Sequence, residues 1–143
     1  MSQSETESTE SLLPPSKRAA RRILQRAFVL TGRDRQLRQH IREARLTTLW
    51  ILEDWDLVWR VIIDRGKIEF DRRPAKHPDL TFSWQTAGEF FSRAKESGSP
   101  ESPLDLAVNP ELQRVARHLL KCFFGYLGHV LRNPVDGAGE SLL

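Results

Sequence analysis

The sequence predicts an α+β domain: a five-stranded, mainly antiparallel sheet with helices packed on one face, a basic helical arm before it and a long C-terminal helix after it. Three observations carry this reading. Apolar residues recur at helical spacing over 20–28 and again over 112–131. Between them, over 46–84, apolar and polar residues alternate. Short turn-forming segments separate the alternating runs, so hairpins rather than βαβ crossovers are expected.

The elements follow in chain order. Residues 1–16 are rich in Ser, Glu and Thr and end near Pro14-Pro15. They cannot bury enough apolar surface to offset ordering entropy, and a disordered acidic tail is expected. The basic arm covers 17–45. Ala20, Ile23, Leu24, Ala27 and Phe28 share one helix face, Ser16 can cap it, and Gly32 can end it in a left-handed conformation. A weaker helix over 33–45 rests on Leu37, Ile41 and Ala44. Strands follow at 46–52 and 56–63, where Leu46, Thr48, Trp50 and Leu52, then Leu57, Trp59, Val61 and Ile63, point to one side. Asp64-Arg65-Gly66 supplies a turn, and Ile68 and Phe70 mark a third strand. Beyond the loop between Pro74 and Pro78, Leu80, Phe82 and Trp84 mark a fourth, continuing an antiparallel meander. Thr86 and Glu89 have capping-box spacing for a short helix that ends at Gly98. Leu104, Leu106 and Val108 mark a fifth strand. Asn109-Pro110-Glu111 opens the last helix, which stops at Asn133-Pro134. The α+β domain thus covers 46–135, with 136–143 as a flexible tail.

The net charge of +3 over 143 residues conceals a division. Residues 1–16 carry −3, residues 17–45 carry +8, and the remainder carries −2. Crowded arginines on a helix suit phosphate-bearing surfaces, and Arg18, Arg21, Arg22 and Arg26 are the candidate anionic-surface residues. Aromatic residues do not interleave with these bases, which disfavours single-stranded nucleic acid. Lone Cys122 cannot form an internal disulfide. No apolar run approaches a membrane span and no secretory signal precedes Lys17, so a cytoplasmic protein, peripheral to membranes, is expected.

No phosphate loop, dinucleotide fingerprint, nucleophile elbow or metalloprotease helix occurs, so neither an enzyme nor a cofactor is expected. His118, Cys122 and His129 share one helix face, but they span ~16 Å at 1.5 Å per residue, too far for one ion. The same face holds Arg114, Lys121 and Arg132, and a solvated stripe without metal is the expectation. His40 and His77 are expected as isolated surface residues. Glu53, Asp54 and Asp56 are expected as a solvated turn.

The run Trp55-Asp56-Leu57-Val58-Trp59-Arg60-Val61-Ile62-Ile63-Asp64-Arg65-Gly66-Lys67-Ile68 resembles the strand–turn–strand signature of sterol-carrier-protein-like lipid-binding domains, with Arg65 inserted into the family's Asp-Gly-Lys turn. Pro78-Asp79-Leu80-Thr81-Phe82-Ser83 is similar to a later strand of that family, and the likeness covers about residues 40–131. The segment Glu96 to Pro103 is shorter than in the family, and Asn109-Pro110 stands where the family has Gly-Asp. The resemblance implies a non-enzymatic carrier. An acyl chain, sterol-like molecule or isoprenoid quinone precursor would sit between sheet and helices, in lipid or quinone metabolism. Trp59, Phe82, Phe90, Phe91, Phe123 and Leu127 are the expected lining. An apolar lipid is the expected ligand and an anionic membrane surface the expected partner; nucleic acid is less favoured, and a homo-oligomer stays open. The alternative is a nucleic-acid or protein-interaction module using 17–45. A hollow sheet–helix interface would favour the carrier, and a filled one the interaction module.

Overall fold

The computed structural model describes residues 16–95 and 110–143. Its elements are α1 (Lys17–Arg33), α2 (Arg35–His40), β1 (Arg45–Leu52), a 3-10 turn (Glu53–Trp55), β2 (Leu57–Asp64), β3 (Lys67–Asp71), β4 (Leu80–Trp84), α3 (Ala87–Lys95) and α4 (Pro110–Arg132).

Local chemistry accounts for most boundaries. The Ser16 hydroxyl accepts from the Ala19 N–H at 3.2 Å and starts α1. Helix α1 does not end at Gly32. It runs on to Arg33, where Asp34 turns extended and its carboxylate accepts from the Leu37 N–H at 2.8 Å to start α2. The capping demand of the second helix therefore sets the break. Helix α2 is one short stretch within the 33–45 expected. Arg65 (φ 51°) and Gly66 (φ 89°) both take left-handed conformations between the paired residues Asp64 and Lys67. Two successive positive φ angles make the tight hairpin turn whose twist matches its strands.

The sheet order is β3-β2-β1-β4. The pairings β1–β2 and β2–β3 are antiparallel, and β1–β4 is parallel. Among the described residues the sheet thus has four strands rather than five; the expected strand Leu104–Val108 lies outside them. The meander also stops at β3. The chain then crosses to the opposite edge, where Asp79 accepts from the Thr47 N–H at 2.7 Å and donates its own N–H to Thr47 O at 2.8 Å. This clip sets β4 in register, with Phe82 beside Trp50 and Trp84 beside Leu52.

Strand parity places Leu46, Thr48, Trp50, Leu52, Leu57, Trp59, Val61, Ile63, Leu80, Phe82 and Trp84 on the buried face. Helices α1, α3 and α4 contribute Ile23, Leu24, Phe28, Phe90, Phe91, Leu119, Phe123, Phe124 and Leu127 to the same core. The 17–45 segment is therefore no detached arm. Phe28 of α1 sits at the centre of the core, with its ring 5.3 Å from Trp50, 5.5 Å from Trp59, 5.3 Å from Phe70 and 4.4 Å from Phe123.

Helices α3 and α4 approach closely at Gly128, where a Cβ would lie 2.5 Å from Ala94 O. The segment expected as a flexible C-terminal tail is folded. Asp136 accepts from the Ala138 and Glu140 N–H groups, Val135 bridges Ser141, and Leu142 is buried in the core. One apolar residue near the end, held by a turn, is enough to tie this segment down.

Candidate functional site

The six expected lining residues come together, but they fill the space between sheet and helices. Trp59, Phe82, Phe90, Phe91, Phe123 and Leu127 are all at most 5% exposed and belong to one core. A void beside Leu24, Phe28, Trp50, Trp59, Trp84 and Phe90 holds only ≈ 10 Å³, about one water molecule. The indole Nε1–H groups of Trp59 and Trp84 are buried and have no hydrogen-bond partner. The neighbouring Trp50 differs, because its Nε1–H donates to the Thr48 hydroxyl at 2.8 Å. An unsatisfied buried donor costs roughly 1–3 kcal/mol. Two such donors leave the interior with unmet hydrogen-bonding capacity.

The four arginines chosen from the sequence divide. Arg18 and Arg21 are exposed on α1. Arg22, also exposed, and half-buried Arg26 border a shallow depression with Asp136 and Glu140 of the folded C-terminal segment, where the Glu140 and Ala138 N–H groups, helped by the Arg26 charge, hold the Asp136 carboxyl low.

A second basic surface joins α2 to α4. Arg114, His118, Lys121, Gly125 and His129 recur at helical spacing along one face of α4. Against this face α2 brings His40, whose ring stacks on His118 with centroids 3.8 Å apart and planes 10° apart. A groove of ≈ 600 Å³ runs beside the pair, between Gln36, Leu37 and His40 on one side and His118, Lys121, Gly125 and His129 on the other. At its end the Tyr126 hydroxyl donates to Asp34 at 2.6 Å. That hydrogen bond and the Leu37 N–H hold the Asp34 carboxyl below the usual carboxylate range, and the same bond pushes Tyr126 up to about 12. Burial first, and then His40, Arg114 and Lys121, holds His118 below the ordinary imidazole value. Burial and the nearby Asp34 carboxylate push Cys122 up to about 12, so its thiol stays protonated at neutral pH.

Comparison with family models, with curated proteins and with solved structures gives no match.

Geometry alone therefore assigns roles to the remaining candidates. Among the described residues no group of three or more His, Cys, Asp or Glu side chains could hold a metal ion. Within the acidic cluster, Asp54 accepts from the Ala87 N–H with both oxygens, at 3.0 and 3.1 Å, and so caps α3 from a distant turn. His77 is exposed in the loop before β4. Sequence reasoning missed His40. It lies 78 positions from His118, and no local pattern marks such a pair. Among the described residues no helix is long and apolar enough to cross a membrane.

Proposed function

We propose that the chain is a non-enzymatic module that binds an apolar lipid bearing a hydrogen-bond acceptor, and that it works at an anionic membrane surface. The observation that carries this reading is the single large apolar core between sheet and helices, in which the indole N–H groups of Trp59 and Trp84 are buried without a partner. An acyl or isoprenoid chain with a carboxyl, hydroxyl or carbonyl group would satisfy those donors. Each buried CH₂ would contribute about 0.8 kcal/mol. The interior is filled, which by the criterion drawn from the sequence favours the interaction module, so the carrier reading requires the helical layer to lift from the sheet and the ligand to replace aromatic contacts. The likeness to sterol-carrier-protein-like domains supports the same reading.

Two measurements on the full chain test this. A fluorescent fatty acid is expected to bind saturably and to be displaced by an isoprenoid alcohol. The indole N–H signals of Trp59 and Trp84 are expected to move on binding, while that of Trp50, already bonded to Thr48, moves less. If no lipid co-purifies and no saturable binding occurs, the reading fails.

A second reading, a nucleic-acid or protein-interaction module, is favoured by the filled interior and the basic helices. It predicts duplex or RNA binding with a steep salt dependence. Substitution of Arg18 and Arg21 tests it better than deletion of 17–45, because deletion removes Phe28 from the core.

A further inference from the structure

We propose that the groove between α2 and α4 is a phosphodiester headgroup site, which engages an anionic lipid surface more strongly as its histidines take up protons. This rests on the reading above that the module works at such a surface, and it places the contact away from α1.

The positions argue for an anion. His118, Lys121 and His129 of α4 and His40 of α2 border one groove of ≈ 600 Å³. Gly125 lies at the middle of the α4 face, and nothing lies within 4 Å of the place where its Cβ would be. A headgroup can therefore approach the helix backbone between Lys121 and His129. Among the described residues Asp34 is the one carboxylate bordering the groove; its two oxygens accept from Leu37 N–H and Tyr126 Oη–H, and its retained charge balances that of Lys121, so attraction for an anion depends on protonated histidines. The neighbouring groove on the other side of His40, ≈ 390 Å³, holds Arg42, Arg45 and Arg114 with Glu43 and Glu111, and is a poorer candidate for proton-linked binding because His40 is its one histidine among the described residues, against three in the larger groove.

Proton uptake follows from the same geometry. His118 faces His40 across the helix interface and has Arg114 and Lys121 as neighbours on its own helix, so a second positive charge between the stacked rings is opposed. On the groove side stand His129, Cys122, Tyr126 and the capped Asp34; on the far side of His40 stand Arg42, Glu43, Arg45 and Glu111. A bound anion offsets the repulsion between the stacked rings and favours proton uptake there. By linkage, its affinity must then rise as pH falls through the imidazole range.

The test uses the full chain and two soluble probes whose charge is constant over this range: sulfate and glycerophosphoglycerol, a phosphodiester without acyl chains. NMR of the histidine ring protons is expected to show saturable shifts at His40 and His118. Glycerophosphoglycerol binding is expected to be severalfold tighter near pH 5.5 than near pH 8, approaching about tenfold only at the fully protonated limit of one histidine stabilised by a factor of ten. Lys121→Gln is expected to weaken binding at both pH values, and the paired change His40→Gln and His118→Gln to remove most of the pH dependence. In a second arm, vesicles of phosphatidylglycerol in phosphatidylcholine are expected to retain the wild type and to lose the Lys121→Gln variant. Sulfate binding without glycerophosphoglycerol binding, or vesicle binding unchanged in both variants, would overturn the proposal. Because the soluble probes carry no acyl chain, failure of lipid uptake in the interior is read separately from failure of the groove.

Discussion

Thr48 is fully buried on the helix-covered face of β1, and its hydroxyl serves two partners. It donates to Val61 O at 2.9 Å and accepts from the Trp50 indole at 2.8 Å. Replacing it with valine keeps the shape but leaves the Trp50 donor without an acceptor. Thr48→Val is expected to cost about 1–3 kcal/mol, seen as a lower denaturant midpoint at unchanged slope. Asp34 is a second residue with a double task, capping α2 and accepting from Tyr126. Its carboxyl pKa is lowered in the fold, so this contribution is present above the ordinary value of 3.8 and is lost as pH falls through the lower folded value. Tyr126 is raised instead, so its contribution is complete below 10 and is lost as pH rises through about 12. Tyr126→Phe is expected to move the acid-unfolding midpoint to higher pH and to flatten the loss of stability at alkaline pH. Parallel titrations of both proteins by circular dichroism check this.

At the scale of elements, α4 contains two glycines that differ only in what surrounds them. Gly128 faces α3, and an added Cβ would meet Ala94 O at 2.5 Å, a backbone atom that cannot swing away. Gly128→Ala is expected to destabilise the protein by roughly 1–3 kcal/mol by forcing α3 and α4 apart. Gly125 faces the groove with open space around it, and Gly125→Ala is expected to stabilise by about 1 kcal/mol through helix propensity. Thermal unfolding of the two variants side by side checks the contrast. The stripe of α4 and most strands were legible in the sequence, because burial on one face writes a period of 3.6 or 2 into the residue order. The end of α1 was not, because Gly32 offered a local stop and the capping of α2 by Asp34 overrode it.

For the whole molecule, α1 decides both shape and charge. Its apolar face supplies Phe28 to the centre of the core, while its arginines remain at the surface or, like Arg22 and Arg26, share a depression with Asp136 and Glu140. Phe28→Ala removes one ring from contact with Trp50, Trp59, Phe70 and Phe123. It is expected to cost about 3–5 kcal/mol, and chemical denaturation of the variant measures it. The six lining candidates were legible as buried residues, since strand parity and helix periodicity both point inward. Whether they surround a space was not legible, because a cavity is set by the sum of side-chain volumes across layers and not by the direction of any one of them.

By itself, the sequence determined an α+β architecture with a helix-covered apolar sheet face, a tight turn at Arg65-Gly66 and a long final helix. These follow from local period and turn chemistry, which a single stretch of chain can express. Only the tertiary structure decided that β4 lies parallel to β1, that the interior is filled around two unpartnered indole donors, and that His40 stacks on His118 beside a basic groove. Each of these joins residues far apart in the chain, and their meeting depends on how the layers pack rather than on any pattern within one segment.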